Sequence, residues 1–349
     1  MSGSPSEASP PRRVDGAAAA GGAVGHRTAE LVARQPSGAP AAPRAAAGIA
    51  GAAGAPHGPF DSELEDIELD LLLEAVFRRY GFDFRNYARA SLRRRVSRRR
   101  DLERVPTISR LLERLLHDPE CMERLLLDLS INVTAMFRDP GFYRTFREKV
   151  VPMLRTHPFV RIWNAGCSTG EETYSLAIML AEEGLLERTR IYATDINQAV
   201  VARAHDGVFP LEKMREYTEN YLAAGGTRAF SEYYVAAYDG ARFDRALAAN
   251  VVFAQHNLVA DHSFNEFHVV VCRNVLIYFD VSLQARVHRL FYDSLSRFGI
   301  LALGQKESVT LTPHEADYQL LDEGERLYRK RGSRSASASG TSARAERGR

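Results

Sequence analysis

The chain has 349 residues, enough for one large domain plus a small one, and its 45% hydrophobic and 26% charged content is ordinary for a soluble globular protein. A net charge of +2 supplies no global field that would draw the chain to nucleic acid or a membrane surface. Cys121, Cys167 and Cys272 are widely spaced and match neither a zinc motif nor a disulfide framework, which favours a reducing cytoplasm, and no apolar run of about 18 residues marks a membrane-spanning helix.

Residues 1–58 consist mainly of Ala, Gly, Pro, Ser and Arg. So little apolar surface cannot offset chain entropy, so the segment is expected to be disordered. Its start, "MSGSPSEASPPRRVDG", has no continuous apolar core of signal-peptide type. Residues 59–138 read as helical. "DSELEDIELDLLLEAVFRRYG" opens with Asp61 as a helix N-cap and stops at Gly81. "YARASLRRRVSRRRDLERV", "TISRLLERLLHDPE" and "CMERLLLDLSINV" follow, their apolar positions at threes and fours as a small bundle requires. One of these helices carries Arg93, Arg94, Arg95, Arg98, Arg99 and Arg100. The cluster is either a solvated face neutralised by nearby Asp and Glu or a dock for an acidic partner.

From about residue 139 to residue 331 the pattern changes. "VRIWNAG", "RIYATDI", "VVFAQHN", "FHVVVCRN" and "GILALG" are short β-rich runs, several separated by helical text. That alternation predicts a parallel sheet with crossover helices, a doubly wound α/β domain. A polar, tyrosine-rich insert at about 208–250 predicts a helix and a small antiparallel excursion. Residues 332–349 form a second, basic, disordered tail.

The stretch at 162–178, "IWNAGCSTGEETYSLAI", has the composition of a strand, a small-residue loop and a helix. Gly166 and Gly170 allow close approach of the backbone to a ligand, but the spacing is not the dinucleotide fingerprint. Where such a site would hold a pyrophosphate on the helix N-terminus, Glu171 and Glu172 stand instead. They suit a ligand with cationic groups, such as the sulfonium and ammonium of S-adenosylmethionine, or else they only complement the helix macrodipole. Asp195, at the end of "RIYATDIN", is placed to accept hydrogen bonds from two ribose hydroxyls.

"NVTAMFRD" (132–139), "WNAGCSTGEETYSLAI" (163–178), "ATDIN" (193–197), "NL" (257–258), "CRNVLIYF" (272–279) and "GILALGQKES" (299–308) occur in that order. This ordered set resembles the CheR family, S-adenosylmethionine-dependent methyltransferases that esterify glutamates of bacterial chemotaxis receptors. The likeness spans about 62–330. It implies a small all-α N-terminal domain followed by a Rossmann-like methyltransferase domain with an inserted small antiparallel β subdomain.

The resemblance implies that Asn132, Thr134 and Arg138 approach the cofactor from the interdomain linker, with Glu172 near its methionine end and Asp195 on the ribose; Gly166 is also an expected cofactor contact. Asn257 and Leu258 would flank the adenine, and Arg273 and Asn274 would close the site. Arg138 and Tyr278 are the expected catalytic residues, placed to orient a substrate glutamate; the plainer roles are a structural salt bridge from Arg138 to Asp139 or a neighbour and a packed strand-end ring for Tyr278. Two positions depart from the family pattern: Met136 replaces an aromatic and Thr173 a proline, and both exchanges are tolerable. S-adenosylhomocysteine would be the product, and no metal is expected. The implied partner is the cytoplasmic helical domain of chemotaxis receptors, met by a basic surface that includes Arg94, Arg95, Arg98 and Arg99. The protein is expected to be a cytoplasmic monomer, with no nucleic-acid partner and no membrane insertion. Three other readings stay open at this stage: a CheR-like protein of another signalling system with a different acceptor or a non-catalytic sensory role, a nicotinamide dehydrogenase, and a nucleic-acid binder.

Overall fold

The computed structural model describes residues 59–129 and 134–332. The tail expected at 1–58, nearly all of that expected at 332–349, and Asn132 lie outside the described residues.

Four helices come first: α1 (Pro59–Tyr80), α2 (Arg89–Leu102), α3 (Ile108–His117) and α4 (Pro119–Leu129). Helix α1 starts at Pro59, two residues before Asp61. Gly81 ends the helix at φ +77, a left-handed conformation that glycine adopts at no steric cost. Thr107 caps α3, its Oγ1 accepting from the Arg110 N–H at 3.1 Å. The apolar threes and fours meet in one core of Leu69, Leu72, Val76, Leu92, Val96, Leu111, Leu115 and Leu125.

Two short helices, α5 (Pro140–Thr145) and α6 (Val151–Leu154), lead into the α/β layer. Its elements are β1 (Val160–Ala165), α7 (Glu171–Glu182), β2 (Thr189–Asp195) and α8 (Gln198–Asp206). An insert follows: β3 (Val208–Pro210), α9 (Met214–Ala223), β4 (Tyr234–Ala237), β5 (Gly240–Phe243) and α10 (Arg245–Ala248). The chain then returns through β6 (Val251–Gln255), β7 (Phe267–Cys272), α11 (Val281–Ser294), β8 (Leu295–Leu303), β9 (Tyr318–Asp322) and β10 (Leu327–Lys330).

The main sheet has the order β6-β2-β1-β7-β8-β10-β9. Its first five strands are parallel. Their cores are apolar on both faces. Ile162, Val269, Val271 and Ile300 pack with α7, while Trp163, Val270 and Leu301 pack with Val287 and Phe291 of α11. The sheet is not parallel throughout: β10 pairs antiparallel with both β8 and β9. The sequence reading passes over that edge hairpin because "YQLLDEGERLYRK" is short and polar and has no clean alternation.

The insert forms a separate three-stranded antiparallel sheet, β3-β5-β4. Its aromatic packing of Tyr221, Phe230, Tyr233 and Phe243 is joined to α7 through Glu182, which accepts from Tyr221 Oη at 2.5 Å and Tyr233 Oη at 3.0 Å.

The helical layer meets the α/β layer at the loop after β7. The Ala88 N–H donates to the Tyr278 carbonyl at 2.8 Å, and the Asp280 N–H donates to that of Asn86 at 2.9 Å. The rings of Tyr87 and Phe279 sit edge to face with centroids 4.8 Å apart.

Candidate functional site

A cleft opens at the carboxyl ends of β1, β2, β6 and β7, where open α/β sheets place their ligands. It encloses about 990 Å³, part of it open to solvent. Thr134, Arg138, Gly166, Glu172, Asp195, Asn257, Leu258, Arg273, Asn274 and Tyr278 all line it. Phe84, Tyr87 and Leu129 of the helical layer supply an apolar wall that sequence reasoning did not foresee.

Strand β1 gives way to a loop that folds back on the end of β2. The N–H groups of Gly166 and Cys167 both donate to the Thr194 carbonyl, at 2.8 and 2.9 Å. Gly166 has φ +78, and a Cβ built there would stand 2.5 Å from Val275 Cγ2, so no larger residue fits. Asp195 Oδ2 accepts from the Ser168 N–H at 3.0 Å and Oδ1 from the Asn197 N–H at 3.1 Å. Burial pushes this carboxyl above its ordinary value, against the pull of those backbone donors. A carboxylate has about four acceptor positions, so two contacts leave capacity for a ligand's hydroxyls.

The two acids of the helix start part company. Glu172 faces the cleft, with Oε1 accepting from Asn164 Nδ2 at 2.7 Å and Oε2 from Arg273 Nη1 at 3.0 Å. Glu171 turns toward the insert, where it accepts from Thr169 Oγ1 at 2.7 Å and Tyr217 Oη at 3.4 Å. Burial raises its carboxyl. The pair therefore does not act as one doubled charge on a ligand; successive helical positions, about 100° apart, cannot share one face.

Arg273 joins three segments. Its Nη2 donates to Asp139 Oδ2 at 2.9 Å and its Nη1 to the Arg138 carbonyl at 3.3 Å, while its guanidinium lies 4.1 Å from the Phe142 ring centroid. Asp139 is thus a partner of Arg273. The Arg138 side chain lines the cleft. Asn257 Oδ1 accepts from the Val259 N–H at 2.9 Å and fixes the turn that brings Leu258 to the wall. Phe137, Asp139, Ser168 and Asn274 all adopt positive φ, at +51, +56, +50 and +61. Such backbone costs roughly 1 kcal/mol or more per non-glycine residue, and it is gathered here around one cleft.

Tyr278 ends a short 3₁₀ turn, Leu276–Tyr278. Burial raises its phenol, so it stays protonated at neutral pH and can donate a hydrogen bond. Arg95 lies over its ring at 5.4 Å and donates to the Leu129 carbonyl at 2.6 Å. The other arginines divide. Arg94 and Arg98 are exposed. Arg99 is taken up inside the bundle, donating to Asp128 Oδ2 at 2.6 Å and pairing with Glu103 at 3.2 Å. Arg93 pairs with Asp66, and Arg100 with Glu65 at 3.1 Å. The cluster is therefore both a salted face and an exposed basic edge.

Residues 132–323 match the family model described as CheR methyltransferase, SAM binding domain, and residues 67–130 match the one described as CheR methyltransferase, all-alpha domain. The chain belongs to the CheR methyltransferase family. A Pseudomonas putida protein bearing the methyltransferase name Cher3 is 51% identical over 265 residues, 76% of this chain and 97% of that one. The chemotaxis protein methyltransferase of Listeria innocua is 30% identical over 261 residues, 74% and 95% of the two chains. That of Escherichia coli K12 is 29% identical over 258 residues, 70% and 85%. The enzyme is an S-adenosylmethionine-dependent methyltransferase. The cleft suits that cofactor: carboxylates at Asp195 and Glu172 match a diol and cationic groups, and Tyr87, Ile196 and Leu258 offer apolar surface for a purine. Among the described residues, no helix is long and apolar enough to cross a membrane.

Proposed function

We propose that this CheR-family enzyme transfers a methyl group from S-adenosylmethionine to glutamate side chains in the cytoplasmic helical domain of chemotaxis receptors, leaving glutamate methyl esters. The names of its relatives support the chemotaxis setting. One observation carries the reading: the cleft joins a carboxylate-rich strand-end pocket to Arg138 and Tyr278, beside a helix with exposed arginines.

In this reading Asp195 holds the ribose hydroxyls and Glu172 faces the methionine portion. Asn257 and Leu258 flank the adenine, and Thr134, Gly166 and Asn274 border the site. The bound cofactor supplies a methyl carbon made electrophilic by its sulfonium. Glutamate is already ionised at neutral pH, so its oxygen displaces the thioether without a general base. The protein's work is alignment. Arg138 and the phenol of Tyr278 orient the acceptor carboxylate along the line of displacement. Because an anion and a cation cancel in the step, a site walled by Phe84, Tyr87 and Leu129 favours it over water. Exposed Arg94 and Arg98 attract the acidic receptor surface, and Arg95 links that helix to Tyr278.

The test is calorimetric titration with S-adenosylmethionine and S-adenosylhomocysteine, followed by tritiated methyl transfer to receptor cytoplasmic fragments from the same cell. Micromolar binding and base-labile label on receptor glutamates are expected. Binding with label on another protein would overturn the receptor assignment, and no binding would overturn the reading of the cleft.

A further inference from the structure

Glu307 lies in the turn after β8 and is 4% exposed. Its carboxylate accepts four backbone N–H groups. Oε2 takes those of Gly304 at 2.6 Å and Asn274 at 3.0 Å, and Oε1 takes those of Val275 at 2.8 Å and Leu276 at 2.7 Å. Three of these donors are consecutive and belong to the loop after β7. Asn274 is left-handed at φ +61 and Val275 follows at φ −111, ψ −48, a sequence that turns successive N–H groups into one concavity. Such a nest would ordinarily take an anion from solution; here the chain supplies its own. Gly304 completes the fit, since a Cβ there would stand 2.8 Å from Glu307 Oε2 and 2.9 Å from the Asn274 nitrogen.

The segment so held carries Arg273, Asn274 and Tyr278, three of the side chains that line the cleft. We infer that Glu307 is a positioning residue for methyl transfer: its carboxylate, fixed at the end of β8, sets the backbone of 274–276 and through it the cofactor-facing and acceptor-facing side chains of that loop. The inference rests on the reading of the cleft as the cofactor site. It requires the anion specifically. A glutamine offers one acceptor oxygen and turns an N–H₂ donor toward two of the backbone donors. An aspartate keeps the charge but lacks the reach to serve all four.

The test uses the full chain with Glu307→Gln, Glu307→Asp and a control, Leu301→Ala, whose side chain is buried in the packing under α11 and does not line the cleft. Each is measured for melting temperature and for S-adenosylhomocysteine affinity by calorimetry. Glu307→Gln is expected to weaken binding by about tenfold or more, since small misplacements of site groups carry costs of that order. Glu307→Asp should recover part of the loss. Leu301→Ala should melt lower yet bind like wild type, separating positioning from general destabilisation. A folded Glu307→Gln variant that binds within about twofold of wild type would overturn the proposal, as would a Leu301→Ala variant weakened as much as Glu307→Gln. Should the glutamine variant not fold, the aspartate variant decides by the same comparison. A wild-type chain that does not bind S-adenosylhomocysteine would overturn the reading of the cleft on which the inference stands.

Discussion

Glu172 and Arg273 form an ion pair at 3.0 Å, so the second residue of α7 is held by the residue that follows β7. The Arg273 side chain is 1% exposed and also meets Asp139. Removing one member of a buried pair leaves the other charged and uncompensated, which costs roughly 3–5 kcal/mol. Arg273→Ala is expected to lower unfolding free energy by about 3 kcal/mol and Arg273→Lys by less, because lysine cannot span two carboxylates in a planar fork. Urea titration followed by circular dichroism checks both; equal stability of all three proteins would contradict the bridge.

Asp195 is held by backbone donors from Ser168 and Asn197, and its carboxylate keeps acceptor capacity toward the cleft. Asp195→Ala is expected to leave the circular dichroism spectrum unchanged and to weaken S-adenosylhomocysteine binding by at least about tenfold, near 1.4 kcal/mol. Unchanged affinity would remove the ribose role.

The exposed and buried arginines of α2 are expected to separate by assay. Arg94→Glu with Arg98→Glu should raise the KM for an acidic receptor fragment several-fold, more at low salt than at high, with cofactor affinity unchanged. Arg99→Ala should instead destabilise the bundle by about 1.5 kcal/mol, because Asp128 loses its close charged donor while Glu103 keeps Arg124 and Arg114. Steady-state kinetics on one variant and thermal melting on the other distinguish the two roles.

Glu171 supplies a pH prediction. Burial raises its carboxyl above the ordinary value of 4.5 in the folded protein. The group's contribution to stability is therefore fully present below that ordinary value and is lost as pH rises through the elevated folded one. Glu171→Gln removes the titration, so melting temperature should fall less between acid and neutral pH than in wild type. Parallel curves across pH 4–8, a range of roughly four units around ordinary carboxylate values, would refute the assignment.

Most of the architecture is legible in the sequence because it rests on periodicity. Threes and fours give the bundle, continuous apolar runs give the buried parallel strands, and the break near 208–250 gives the insert. The hairpin of β9 and β10 is lost because β9 lies at the sheet edge and both strands carry polar residues, such as Gln319 and Arg329. At the site, one-residue signals carry over where backbone geometry demands them, as at Gly166. Direction is what the sequence does not contain. Nothing in "GEE" says that Glu171 faces the insert and Glu172 the cleft, and nothing in "RRRVSRRR" says that Arg99 turns inward while Arg98 stays in water. Glu307 stands within "GILALGQKES", yet nothing there gives it a role, for a related reason: three of its four partners are main-chain groups about thirty residues away, and backbone donors leave no mark in a residue pattern.

The helical layer meets the α/β layer through the Ala88–Tyr278 and Asp280–Asn86 backbone hydrogen bonds, the Tyr87 and Phe279 rings, and Arg95 over the Tyr278 ring. Two of these contacts fall on the tyrosine proposed to meet the acceptor. A load on the arginine-bearing helix is therefore passed straight to that tyrosine, with no intervening element to absorb it.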